Sequence, residues 1–198
     1  MTYFSTARLD ARRLTAADAA AFTAYRADPE VARYQTWDHF TRAQGDALVE
    51  SMRGVELGTP GQWVQVALEE RSRGVVVGDL ACKVNAAEPH EMEVGFTLAA
   101  AEQGRGYATE ALAALLDRAF AAMGLHRVVA VIDVRNTPAA ALLRRVGMRQ
   151  EAHFVDNVFF KGAWGSELLF AKLAREHAPY PRARPCSQSP LNGPNAAA

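Results

Sequence analysis

Over residues 107–123 the apolar side chains fall at Ala108, Ala111, Leu112, Leu115, Ala119, Phe120 and Met123, the spacing of one buried helical face. Gly124 then supplies a C-terminal stop. Upstream, Glu91-Met92-Glu93-Val94-Gly95-Phe96-Thr97-Leu98 alternates polar and apolar, the period of two of a half-buried strand. Downstream, residues 126–134 run nearly unbroken through Val128, Val129, Ala130, Val131 and Ile132, and predict a buried strand. Asn136-Thr137-Pro138 opens a short helix carrying Leu142, Leu143 and Val146 to Gly147-Met148. Toward the N-terminus the pattern predicts a strand near 8–14 and a helix opened by Thr15, with Asp18 three residues on in a capping arrangement. A second helix is predicted around 38–52, a glycine-rich loop over 54–61, and an antiparallel pair from 63–69 and 75–84. The last strands are expected near 148–155 and 167–173.

Beyond Ala178 the pattern lapses, and Pro, Ser, Asn and Ala dominate. Such a segment has too little apolar side chain to offset the entropy of ordering, so a disordered tail over 178–198 and one domain over 1–177 are expected. The 198 residues suit a single core of that size. Lys plus Arg and Asp plus Glu both number 22, which leaves no basic field to attract nucleic acid. The two cysteines, Cys82 and Cys186, form neither a disulfide framework nor a metal-ligand spacing, and the five histidines show no metal spacing either. Without an apolar run of membrane length or a secretory leader, the expectation is a cytoplasmic protein with no membrane partner and no metal.

The candidate chemistry sits where the predicted strand 91–98 meets the predicted helix, at Gln103-Gly104-Arg105-Gly106-Tyr107-Ala108-Thr109-Glu110-Ala111. A helix start presents unpaired backbone N–H groups and the positive end of its dipole, and Gly104 and Gly106 let an anion approach the main chain. A tight turn is the other reading of a lone Gly-x-Gly. The phosphate loop of nucleotide hydrolases does not fit, because it needs a Lys after its last glycine and Gly106 is followed by Tyr107. The dinucleotide-binding fingerprint fits poorly, with Thr109 at its third position.

The order of strand, glycine loop, helix, strand, Asn and helix, ending at Gly147-Met148, resembles the core of the GNAT acyltransferase superfamily. The opening elements Arg8-Leu9, Arg12, Leu14-Thr15, Asp18, Asp28-Pro29-Glu30-Val31 and Tyr34 resemble the branch that includes the ribosomal-protein N-terminal acetyltransferases. Glu93-Val94-Gly95-Phe96, Asn136 and Lys161-Gly162-Ala163-Trp164 continue the pattern, which spans roughly residues 8–174. This resemblance implies an α/β (α+β) fold: one domain with a mixed sheet of about six to seven strands, splayed at its centre and flanked by helices.

The resemblance also implies acetyl-CoA as cosubstrate and a primary amine, on a small molecule or a protein or peptide N-terminus, as acceptor. A homodimer is left open. Gln103, Gly104, Arg105, Gly106, Tyr107, Ala108 and Thr109 would bind the pyrophosphate, main-chain groups of Phe96 and Leu98 the pantetheine amides, and Asn136 the cofactor near its pantetheine end. Asn136 also reads as an ordinary turn residue before Thr137-Pro138. Glu93 is the candidate general base, sharing a strand face with Glu91 by the period of two; a merely solvated face is the other reading of that pair. Tyr34, Trp37 and Phe154 are the candidate acceptor-pocket residues, from the segments 34–40 and 154–160, and each is also an ordinary core residue by type. Where many relatives carry a proton donor after the Asn, this chain has Ala139 and Leu143. That departure keeps a non-catalytic acyl-CoA-binding module as an alternative, with a nicotinamide-dependent oxidoreductase as a remoter one.

Overall fold

The computed structural model describes residues 1–178, so the tail expected over 178–198 lies, past its first residue, outside the described residues, as does Cys186. One sheet of eight strands forms the frame. They are β1 (Thr2–Ser5), β2 (Leu9–Arg13), β3 (Trp63–Glu70), β4 (Val75–Val84), β5 (Glu91–Leu98), β6 (Arg127–Asp133), β7 (Arg149–Phe160) and β8 (Ala163–Leu173). Their spatial order is β1-β2-β3-β4-β5-β6-β8-β7, antiparallel throughout except for the parallel contact of β5 with β6. The sheet is mixed, as expected, with more strands than the six to seven anticipated. The additional strand is β1, four residues long and too short to show a period. β7 and β8 also run past their expected limits and meet at Lys161-Gly162 as a hairpin.

Five α-helices accompany the sheet among the described residues: α1 (Ala19–Arg26), α2 (Pro29–Ala32), α3 (Arg42–Ser51), α4 (Tyr107–Ala121) and α5 (Thr137–Arg145). α4 lays Ala111, Leu112, Leu115, Leu116 and Ala119 onto one sheet face, against Val66, Leu68, Leu80 and Met92. It ends three residues before Gly124, whose φ of 66° lets the chain turn back so that Leu125 N–H reaches the Ala119 carbonyl at 3.0 Å. On the opposite face α1 and α3 close a second cluster of Leu14, Phe22, Tyr25, Met52 and Ala67. Thr15 opens this side with a 3-10 turn rather than the helix itself. Its N–H donates to Asp18 Oδ2 at 2.8 Å, and Arg12 holds both oxygens of the same carboxylate at 2.8 Å. No helix among the described residues is long and apolar enough to cross a membrane.

One polar contact joins the two layers through the interior. Arg26 on α1 donates to Asp79 Oδ2 on β4 at 2.7 Å, and the Tyr25 hydroxyl donates to Asp79 Oδ1 at 2.6 Å. Both charged side chains are almost wholly buried, at 4% and 1% exposure. Burial pushes the Asp79 carboxyl above its ordinary range, opposed by the Arg26 charge and the Tyr25 bond. The guanidinium is further enclosed by the rings of Phe22 at 4.2 Å and Trp37 at 4.4 Å. Removing one partner leaves the other charge buried and uncompensated, so Asp79→Ala should cost about 3–5 kcal/mol. Urea unfolding followed by circular dichroism checks this; a loss below about 1 kcal/mol, the size of an exposed pair, would show that the interior charge is hydrated.

Candidate active site

The parallel contact at the sheet centre is short. β5 and β6 pair at Glu91 with Arg127, Met92 with Val128 and Glu93 with Val129, and no further. Past that point each strand stays fully paired on its other side, β5 with β4 over residues 92–98 and β6 with β8 over 127–133. The separation is therefore a held opening between two anchored strands rather than a frayed end. Its inner edges carry backbone groups with no strand opposite, a demand that a ligand or water must meet. Phe96 is half-buried along this edge, and Leu98 ends it, its carbonyl accepting from Gln103 Nε2 at 3.3 Å.

The glycine loop comes directly after β5. Gly104 and Gly106 take φ values of 73° and 81°, left-handed conformations that favour glycine, and Gly106 is the residue from which α4 starts. Apart from its chain neighbours, no atom of the described residues lies within 4 Å of a Cβ placed on Gly104, so the loop faces open space there. Tyr107, Ala108 and Thr109 turn their side chains inward, at 6–7% exposure, and offer only main chain at the helix start. Thr109 Oγ1 accepts from Arg145 on α5 at 3.1 Å. The acidic residue of the first turn, Glu110, is occupied by the Arg8 backbone N–H at 2.9 Å, by Arg8 Nε at 2.7 Å and by the Thr6 hydroxyl. Burial pushes its carboxyl up, but these bonds outweigh that and hold it below the ordinary range. With Glu110 neutralised by Arg8, and Arg105 pairing with Glu102 at 3.2 Å, the helix start keeps its attraction for an anion.

From the mouth of the splay a cleft of about 460 Å³ opens between β5, β6, α5, the segment after α2 and the β7–β8 hairpin. Glu93 lines it, and Glu91 does not. The two share a strand face, but Glu91 accepts from Arg127 on β6 at 2.9 Å and serves the sheet. Burial pushes the Glu93 carboxyl up; Lys83 opposite on β4 pulls it down, and the charges of Glu91 and Glu167 raise it again, for a net upward shift. Asn136 lines the cleft while its Oδ1 accepts from Ala139 N–H at 3.2 Å as the cap of α5, so its turn role and its place at the site coincide. Ala139 is part of the wall, and Leu143 is fully buried in the core.

The three candidates for the acceptor side part company. Tyr34 lines the cleft. Trp37 turns into the protein, donating its indole N–H to the Arg26 carbonyl at 3.0 Å. Phe154 stands on β7 at 40% exposure, away from the lining. Their segments nevertheless both reach the cleft, through Gln35 and Thr36 on one side and Val158 and Phe160 on the other. Asp133 and Glu167, neighbours across β6 and β8, also line it and were not singled out in the sequence. Arg135 holds the Asp133 carboxyl below its ordinary range, and Glu167 accepts from Asn157 at 2.6 Å. Among the described residues no cluster of His, Cys, Asp or Glu could hold a metal ion.

A model of the acetyltransferase (GNAT) domain matches residues 8–149 of this chain. An uncharacterized N-acetyltransferase of Bacillus licheniformis, p20, is 28% identical over 174 residues, covering 87% of this chain and 97% of that protein. Among solved structures, a GNAT-family acetyltransferase from Bacillus anthracis superposes with a TM-score of 0.80 at 26% identity, covering 89% of this chain and all of that one. RimJ of Mycobacterium smegmatis, solved in complex with CoA-disulfide, gives a TM-score of 0.74 at 27% identity, with 85% and 83% coverage.

The loop geometry separates ligand binding from folding. Gly106→Ala adds a Cβ 3.5 Å from Arg8 Nη2, an ordinary contact, and forces a left-handed alanine costing about 1–2 kcal/mol. Calorimetric titration with coenzyme A should show affinity reduced at least about tenfold, more than that strain alone requires of a folded variant. An unchanged affinity would place the anion site elsewhere.

Proposed function

The chain belongs to the GNAT acetyltransferase family and is an acetyltransferase, and from that premise we propose that it moves an acetyl group from acetyl-CoA to a primary amine, of a small molecule or of a protein or peptide N-terminus, by direct attack in a ternary complex. The observation that carries this reading is the succession along the chain of Glu93 in the cleft, the stretch of β5 with no β6 residue opposite, and the glycine loop that opens α4. The residues fit such a cosubstrate: a loop with open space at Gly104, a helix start with its acid neutralised, and two strand edges that part after three paired residues. Main-chain groups of residues 104–109 would hold the pyrophosphate, with Gln103 and Arg105 beside them. Main-chain groups of Phe96 and Leu98 would take the pantetheine amides, and Asn136 would meet its far end. Bound there, acetyl-CoA supplies an activated acyl thioester.

The remaining work falls to the chain's own side chains. An amine attacks only when neutral. Deprotonating a lysine-like amine of pKa about 10.4 at pH 7 costs roughly 4–5 kcal/mol, whereas an α-amine near 7.7–8.0 costs about 1–1.5 kcal/mol. Glu93, one of three carboxylates lining the cleft, would accept that proton, through a water where the acceptor stands off. Its upward shift makes it a better base than an ordinary surface glutamate, yet still far weaker than a lysine-like amine. No proton donor stands at Ala139 or Leu143, and a thiol leaving group with a pKa of about 8.5, as for free cysteine, tolerates departure without one. A carboxylate base so much weaker than a lysine-like amine favours acceptors of low basicity.

Thiol release from acetyl-CoA, screened over free amino acids, peptides with free N-termini, aminoglycosides and polyamines, tests the reading. α-Amines should be preferred; a clear preference for polyamines or lysine side chains would contradict it, and tight coenzyme A binding with no acceptor would favour the non-catalytic module. With the best acceptor, Glu93→Gln should lower kcat by about 10²–10⁴-fold while leaving acetyl-CoA affinity unchanged. The base works deprotonated, so wild-type kcat should fall as pH drops through the raised Glu93 pKa. The deficit of the variant should shrink as pH rises toward the acceptor pKa. Equal wild-type and variant rates across the profile would remove Glu93 from the reaction.

A further inference from the structure

The tip of the β7–β8 hairpin contains a residue in an unfavourable conformation. Lys161 has φ = 51° and is followed by Gly162 at φ = 81°, between the paired residues Phe160 and Ala163. Two-residue hairpin turns of this kind favour Asn or Gly at the first position, because a longer L side chain is strained there. A pair of contacts to the segment after α2 accompanies the strained turn. Lys161 Nζ donates to the Ala32 carbonyl at 2.8 Å and pairs with Asp38 Oδ1 at 3.1 Å. The same Ala32 carbonyl accepts from Gln35 N–H at 2.8 Å, so the lysine grips the turn that carries Tyr34.

These contacts bracket one wall of the cleft. Tyr34, Gln35 and Thr36 lie between Ala32 and Asp38, both held by Lys161, while Trp37 is anchored from behind by Arg26. Val158 and Phe160, which also line the cleft, form a second part of its wall and belong to the hairpin that carries Lys161 itself. Lys161 is not among the lining residues, yet it links both walls. We propose that Lys161 is a positioning residue for the acceptor: it ties the hairpin to the turn after α2 and so sets the width of the cleft where the amine is held. This rests on the reading that the cleft takes the acceptor. The carbonyl bond carries most of the effect, because Asp38 is 62% exposed and an ion pair there is screened by water.

Lys161→Met removes both contacts and keeps the length and apolar stem of the side chain. The Michaelis constant for the best α-amine acceptor should rise about tenfold, the ratio carried by one hydrogen bond to a charged group, with that for acetyl-CoA unchanged. Lys161→Arg should restore most of the loss, and Asp38→Asn should cause little. In hydrogen–deuterium exchange of the ligand-free protein, Lys161→Met should accelerate residues 32–38 and 158–163 together. An unchanged acceptor constant in a folded variant, or acceleration confined to the hairpin, would overturn the assignment. Should the wild-type protein acetylate no amine, the reading of the cleft fails, and the paired exchange still decides whether Lys161 ties the two walls.

Discussion

β5 and β6 share a ladder for three residue pairs and then separate, and the rest of the site is arranged around that separation. An unpaired strand edge in a protein interior is costly, since each backbone N–H and carbonyl left without a partner loses a hydrogen bond it had in water. Here the cost is limited because each strand is completely paired on its outer side and the inner edges open into a cleft that water or ligand can enter. The splay also directs the chain beyond it. The open strand runs through a short 3-10 turn into the glycine loop, and α4 starts there with its amide groups at the same end of the sheet. On the proposed reading, backbone geometry rather than a cluster of special side chains would supply most of the surface for the cosubstrate.

Side chains act mainly as supports for that backbone. Arg26 and Asp79 join α1 to β4 through the interior, and the Arg26 carbonyl then captures Trp37, which places the turn at Tyr34. Arg8 and Thr6, from the turn between β1 and β2, neutralise Glu110 and pin the first turn of α4. Glu91 binds Arg127 and closes the bottom of the splay, which leaves Glu93 as the carboxylate of that strand face at the cleft. Equivalent positions in the sequence pattern thus acquire different duties through their partners on other strands.

These supports explain which parts of the molecule could be read from the chain alone. α4, β5, β6 and α5 were legible because their signals are local: a helical period closed by Gly124, an alternation, an apolar run and an Asn-Thr-Pro cap. The glycine loop was legible for the same reason, with its spacing and the helix beside it. β1 escaped because four residues show no period, and the full length of β7 because an edge strand exposed on both faces has no alternation to display. The cleft lining contributed by the segment after α2 and by the hairpin was least legible. Trp37 and Phe154 drew attention as aromatics, but facing is set by tertiary contacts: the indole of Trp37 found a carbonyl inside, and Phe154 lies before the irregularity between Phe154 and Val158 that precedes the cleft-lining end of β7. Glu167, Asp133, Val158 and Phe160 meet only because β8 pairs with β6 and the hairpin folds back, a juxtaposition no local pattern encodes.

On the proposed reading, main-chain groups at the splay and at the start of α4 hold coenzyme A. Amide chemical shifts of the ¹⁵N-labelled protein, followed during titration with coenzyme A, test it most directly. Large perturbations are expected over residues 94–98 and 104–109, small ones over β1 to β3, and none of this pattern with NADH. Perturbations centred elsewhere, with the glycine loop and the inner edge of β5 unmoved at saturation, would contradict it.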